Sequence, residues 1–103
     1  MAFVWDPVKA AENLRRHHVK LEAGRHVFKD PFRMTRHDDD SSVGEERYQT
    51  IGMADEVLFV VYTEEGPDDT RLISTRLATP KERRIYHGRD DAAGVYGWER
   101  INF

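Results

Sequence analysis

Cysteine is absent from this 103-residue chain. That excludes disulfides and thiolate metal sites and suits a reducing compartment. Long apolar runs are also missing. The longest, "VLFVVY" at 57–62, is far short of the about 20 residues needed to cross a bilayer. The opening "MAFVWDPVKA" lacks the basic start and apolar run of a secretory signal, so a cytoplasmic location without membrane association is expected. No glycine-rich phosphate loop and no G-x-S-x-G nucleophile turn occurs. A helix-turn-helix is poorly supported, because its recognition helix would have to be "EAGRHVF", which has few base-reading side chains. No internal repeat or low-complexity linker divides the chain, and its length suits one domain with one modest core.

What is present is charge, unevenly spread. The net charge of −3 hides an acidic stretch, "DDDSSVGEE" at 38–46, with five carboxylates and no Lys or Arg. Against it stands the segment 71–89, with six Lys or Arg and the single carboxylate of Glu82. Phosphate is met by a local patch rather than by a whole protein, so the patch points toward a polyanion although the net charge does not.

The pattern predicts an α+β fold. Phe3 to Trp5 suits a short strand or an extended lead-in. "WDPVKAAENLRRHH" reads as a helix, with Asp6 as N-cap and Pro7 at the first helical position. A second, shorter helix is expected over "VKLEAGRHVFKDPF", with Leu21, Val27 and Phe28 facing inward, and Asp30-Pro31 ends it. A loop is expected through the acidic stretch. Three strand-like runs follow, at about 46–52, 57–63 and 71–77. The middle one is apolar on both faces, which makes it the centre of a three-stranded antiparallel meander. Thr79-Pro80-Lys81-Glu82 has the form of a capping box and starts a last helix that runs to about His87, with Gly88 as its stop. The stretch from 89 onward has no clear period. The expected architecture packs all three helices on one face of the sheet.

Two clusters carry candidate chemistry. Strict alternation along 71–77 puts Arg71, Ile73, Thr75 and Leu77 on one face, and Leu72, Ser74 and Arg76 on the other. Arg76 then ends a strand just before the helix start at Thr79, where N–H groups and a guanidinium converge to favour an anion. Glu82, Arg83 and Tyr86 share a side of that helix, and Arg84 adds to its charge. On the first helix, Lys9, Asn13 and His17 fall in one row with Arg16 beside them, a set able to hold phosphate and move a proton. Each cluster also reads as an ordinary solvated helix face, the commoner fate of such residues. The string His37-Asp38-Asp39-Asp40 offers oxygen ligands but lacks the spacing of a calcium loop. No metal and no other cofactor is therefore expected.

The stretches "FVWDPVKAAENLRRH", "VFKDPF", "GEERYQTIG", "LFVVYTE" and "RLISTRLATPKERRIY" together resemble the BrnT toxins. These are the ribonuclease half of a type II toxin–antitoxin pair, similar in fold to RelE-type toxins. The resemblance runs from residue 3 to residue 86. It implies a BrnT-like toxin domain over 1–88, leaving 89–103 as a C-terminal extension of unassigned structure. It also implies an RNA substrate, inhibition of translation and growth, and a BrnA-like antitoxin that binds operator DNA. Where the family commonly has Lys-His-Gly, this chain has Arg16-His17-His18. Loss of that glycine removes the easy left-handed cap, so the helix end is expected to differ.

Metal-free RNA cleavage uses the RNA's own 2′-hydroxyl as nucleophile. The enzyme then has to stabilise charge on the phosphorane and manage two protons. Arg76 and Arg83 suit the electrostatic role, supported by Arg71 and Lys9. Arginine stays protonated, so Glu82 or His17 is the candidate for proton transfer. Tyr86 suits base stacking or phosphate orientation, and Trp5 serves either as a stacking platform or as core. Two other readings remain at this level: a non-catalytic RNA- or protein-binding module using the same patch, and a metal-dependent hydrolase built on His37 and Asp38 to Asp40.

Overall fold

The computed structural model describes residues 2–100. The chain opens with β1 (Ala2–Val4) and α1 (Pro7–His17), followed by a 310 segment, Leu21–Lys29. Then come β2 (Met34–His37), β3 (Tyr48–Ala54), β4 (Glu56–Glu65) and β5 (Asp69–Leu77). The chain continues with α2 (Pro80–Tyr86), a short 310 turn at Ala93–Tyr96 and β6 (Glu99–Arg100). The six strands form one mixed sheet in the order β1-β5-β4-β3-β2-β6. Only the β1–β5 pair is parallel.

The antiparallel meander of β3, β4 and β5 is the centre of this sheet, as expected, but three strands are not the whole of it. β2 lies where a loop is expected to lead from Pro31 into the acidic stretch, since Met34-Thr35-Arg36-His37 has one apolar residue and no alternation. It is a strand because its Met34 packs inward while its backbone pairs with β3 on one side and β6 on the other.

The expected second helix is a 310 segment instead. Its buried residues are Leu21, Gly24 and Val27, spaced by three, and a helix of three residues per turn keeps such a set on one line. The close approach needs glycine: a Cβ on Gly24 would lie 2.4 Å from Thr75 Oγ1.

The helices cover both faces of the sheet rather than one. Leu58, Val60 and Tyr62 of β4 pack with Leu21, Val27 and Leu72 under α1 and the 310 segment. The alternate residues Val57 and Phe59 pack with Ile51, Ile85 and Tyr86 under α2. Ala93 and Trp98 belong to that second cluster, so the stretch just beyond α2 folds back over the same sheet face.

β5 departs from strict alternation in a way that matters for the site. Ser74 pairs with Val61, yet Leu72 pairs with Tyr62, so Ile73 is an extra residue and the strand bulges there. Thr75 and Leu72 consequently share the α1 face, opposite Val60 and Tyr62. Arg71 and Arg76, assigned to opposite faces by alternation, both point to the α2 side, opposite Thr63 and Phe59.

Candidate active site

α1 begins as expected, with Asp6 Oδ1 accepting from the Val8 N–H at 2.8 Å and Pro7 in the first turn. Its far end holds His18 at φ 59°, and the His18 N–H donates to the Leu14 carbonyl. A histidine thus stands in a left-handed cap at the position for which the resemblance implies glycine.

Between these ends α1 lies along the edge of β5. β1 covers that edge only from Asp69 to Arg71, which leaves the backbone at Thr75 without a strand partner. Asn13 takes that place. Its amide donates to the Thr75 carbonyl at 2.8 Å and to the Val19 carbonyl at 2.8 Å, while its Oδ1 accepts from the Thr75 N–H at 3.0 Å. Asn13 is 6% exposed, so it is bound to backbone and not free to hold phosphate.

The rest of the predicted row remains available. Lys9, Glu12, Arg16 and His17 line a cleft of about 210 Å3 against Ile73 and Ser74, at the bulge. His17 is held below the ordinary histidine range, first by partial burial and then by the charges of Arg16, Arg76 and His18. Arg76 does not line the cleft, but its charge reaches the His17 ring, although 59 residues separate the two in sequence.

Arg76 is fixed on three sides. Its guanidinium sits 4.1 Å from the Phe59 ring centroid. It donates bidentately to Glu82, at 2.8 and 2.9 Å, and also to the Leu77 carbonyl. Glu82 at the same time completes the capping box, accepting the Thr79 N–H at 2.8 Å while Thr79 Oγ1 accepts the Glu82 N–H. The anion position expected at the start of α2 is therefore filled by the helix's own carboxylate. Burial pushes the Glu82 carboxyl up, but the Arg76 guanidinium and the Thr79 N–H outweigh it and hold the group below its ordinary range. Arg83 donates from one guanidinium nitrogen to the Ala78 carbonyl at 2.8 Å and is otherwise exposed.

Other predicted residues lie apart. Arg71 is ion-paired with Glu45 of the acidic stretch at 2.6 Å and with Glu65. Arg84 is exposed on α2. Tyr86 is buried at 8% exposure, and its hydroxyl donates to Asp30 at 2.5 Å. Its ring is therefore core and cannot stack on a base. Trp5 is half-buried against the α1-side core. The acidic stretch closes on itself: both ring nitrogens of His37 meet carboxylates, Asp39 and Glu46, and buried Asp38 accepts the Ser41 N–H. Among the described residues no cluster of three metal-ligating side chains is found. The residue that sequence reasoning missed is Phe59, the shelf under Arg76; the Thr79 N–H bond to Glu82 is the one that the capping box predicts. An aromatic on the strand paired with Arg76 was the available signal.

A family model described as the ribonuclease toxin BrnT of type II toxin–antitoxin systems matches residues 5–82. In structure the chain is similar to the crystal structure of the Brucella abortus ribonuclease toxin BrnT. The TM-score is 0.59 at 20% sequence identity, over 77% of this chain and 97% of that one. No curated protein matches the chain in sequence. The family match covers most of the chain and includes α1, the whole meander and the capping box, so this chain belongs to the BrnT family of ribonuclease toxins of type II toxin–antitoxin systems.

Proposed function

We propose that this protein is an endoribonuclease that cleaves RNA without a metal at the cleft between α1 and the edge of β5. The observation that carries the reading is Arg76, immobilised by Phe59 and Glu82, acting on a His17 ring whose surroundings favour the neutral form. A neutral imidazole accepts a proton, and a fixed guanidinium stabilises a phosphorane without reorganising.

In this scheme His17 takes the proton of the 2′-hydroxyl. The 2′-oxygen then attacks phosphorus and the bond from phosphorus to the 5′-oxygen breaks. Water in the open cleft protonates the leaving 5′-oxygen. Arg76 neutralises the equatorial oxygens, with Lys9 and Arg16 guiding the backbone into the cleft and Arg83 a second cation beside Arg76. Glu82 acts as a positioning residue, because a carboxylate already accepting from Arg76 and Thr79 is poorly placed to move protons. Arg71 contributes only if a phosphate displaces Glu45. The cellular consequence is inhibition of translation and growth in the cytoplasm, relieved by a BrnA-like antitoxin that binds operator DNA.

The test is end-group analysis of RNA cut by the purified protein in the presence of EDTA. The expected products carry a 2′,3′-cyclic phosphate or the derived 3′-phosphate. Products ending in a 3′-hydroxyl, or activity lost to EDTA, overturn the scheme. Expression of the protein alone is expected to arrest bacterial growth, and co-expression of the antitoxin to restore it.

A further inference from the structure

A second concavity lies apart from the cleft at α1. It is a cavity of about 640 Å3 at the outer edge of β2, lined by Arg36, His37, Tyr48, Tyr96 and Glu99 among others. Nothing in the scheme above uses it. β6 covers β2 only at Met34 and Thr35, so the cavity opens where the edge strand loses its partner.

Three features suit an unpaired nucleobase. Tyr96 is 58% exposed, a large aromatic held at the surface by a 310 turn rather than buried. Arg36 is held at the cavity wall: its guanidinium sits 4.5 Å from the Trp98 ring centroid, donates to Gln49 at 2.8 Å and donates to the Tyr96 carbonyl. Aromatic rings and guanidinium planes are the surfaces on which single-stranded bases stack. The carboxylates of Asp39 and Glu99, also at the cavity, repel phosphate there. As acceptors they favour a base edge that carries N–H donors.

The cavity is also physically joined to the Arg76 site. Lys81, the neighbour of Glu82 on α2, places its ammonium 5.5 Å from the Tyr96 ring centroid. Beneath, Arg76 lies on Phe59 at 4.1 Å, Phe59 meets Trp98 edge-on at 6.4 Å, and Arg36 lies on Trp98 at 4.5 Å. That stack puts the two guanidiniums at most about 15 Å apart, which a few nucleotides of an unpaired strand can span. We propose that this cavity is a base-binding subsite of the ribonuclease. It seats an unpaired base of the RNA a few nucleotides from the bond being cleaved, with Tyr96 as its stacking platform. The inference rests on RNA being cut at the α1 cleft, within reach of the charge of Arg76.

The test compares wild type with Tyr96→Ala on a dinucleotide and on a single strand of about ten nucleotides, the latter also with one abasic position moved along it. Wild type is expected to lose about tenfold in kcat/KM when the abasic position reaches the subsite. Tyr96→Ala is expected to show that loss on the intact strand and none further on the abasic one. It should match wild type on the dinucleotide and in melting temperature, and Tyr96→Phe should restore the long-strand rate. Equal kcat/KM for wild type and Tyr96→Ala on the long strand overturns the subsite. So does a Tyr96→Ala protein that cuts RNA normally but escapes the antitoxin, since the cavity would then be a protein-docking site. A wild-type protein that cuts neither RNA overturns the ribonuclease reading itself and the subsite with it.

Discussion

The two halves of β5 carry the same residue type to opposite ends. Arg71 and Arg76 lie on one strand and, because of the bulge at Ile73, on one face of the sheet. Around Arg71 the strand edge is closed by β1, and the guanidinium is held by two carboxylates, Glu45 from the acidic stretch and Glu65 from the β4–β5 hairpin. Around Arg76 the edge is closed by one side chain, Asn13, and the guanidinium meets one carboxylate and one aromatic ring. A cation shared between two carboxylates is neutralised. A cation with one carboxylate and a ring is balanced rather than outweighed, and its unshared N–H groups meet no second anion among the described residues. The acidic stretch thus spends part of its charge within the molecule, on Arg71.

The strongest way to break this arrangement is to remove the edge closure. Asn13→Ala would leave the Thr75 N–H and carbonyl unpaired in a buried place, and each orphaned group costs about 1–3 kcal/mol. We expect a loss of about 2–4 kcal/mol in urea unfolding. Cleavage per folded molecule should fall as well, because the bulge and the cleft share that backbone. A midpoint near that of wild type would show that Asn13 is not the strand's edge partner.

The arginines themselves separate by activity. Arg76→Ala should lower kcat by at least about a hundredfold, the usual cost of losing a fixed donor at a developing charge. Its stability should change by less than about 1 kcal/mol, as for other part-exposed ion pairs. Arg76→Lys should also be impaired, since an ammonium cannot reproduce the bidentate grip on Glu82. Arg71→Ala should stay within a few-fold of wild type in single-turnover cleavage. Equal losses at the two positions would remove the distinction drawn from their partners.

Much of this contrast is invisible along the chain. The α1 start, the meander and the capping box follow from local chemistry at Asp6-Pro7, at 57–63 and at Thr79 to Glu82, and all were legible. The shared α1 face of Lys9 and His17 and the nearness of Arg76 to Glu82 were also legible as positions. Asn13 looked like a member of the phosphate row because helix periodicity reports which residues share a face, not what covers that face. Its partner lies 62 residues away. The bulge was missed because one extra residue reverses alternation without any compositional mark. Tyr86 was misplaced for the same reason as Asn13: its partner Asp30 sits in a distant loop.

pH sharpens the comparison from the other side of the cleft. His17 has its pKa lowered by burial and by neighbouring cations, so the acid limb of the kcat/KM profile should fall below the ordinary histidine value of about 6.5. For stability the sign is the same. The unfolded chain protonates this ring more readily than the folded one, so stability from His17 is lost as pH falls below about 6.5. His37 works in reverse. Hydrogen bonds from its ring to Glu46 and Asp39 raise its pKa, so its contribution is full below about 6.5 and is lost as pH rises through the raised value. Histidine resonances followed by NMR titration should separate the two, one titrating below the ordinary value and one above it. Coincident midpoints would contradict both assignments.

The smallest expected effect tests the helix end beside the cleft. His18 stands at φ 59°, ψ 23°, a left-handed conformation that costs a side chain roughly 1–2 kcal/mol. Glycine adopts it freely, but it also gives the unfolded chain more freedom to lose. The two terms leave His18→Gly about 0.5–1 kcal/mol more stable than wild type, visible as a small rise in urea midpoint at unchanged slope. The substitution also removes one of the charges that depress the His17 pKa. The acid limb of the rate profile should therefore move slightly toward about 6.5 while the plateau rate stays the same. Only the neutral fraction of His17 has changed, not the placement of Arg76. A gain in stability with no movement of the acid limb would mean that a group other than His17 sets that limb. Glu82 would not take its place, since its carboxyl is held low by Arg76 and the Thr79 N–H and would set a limb below the ordinary carboxylate range.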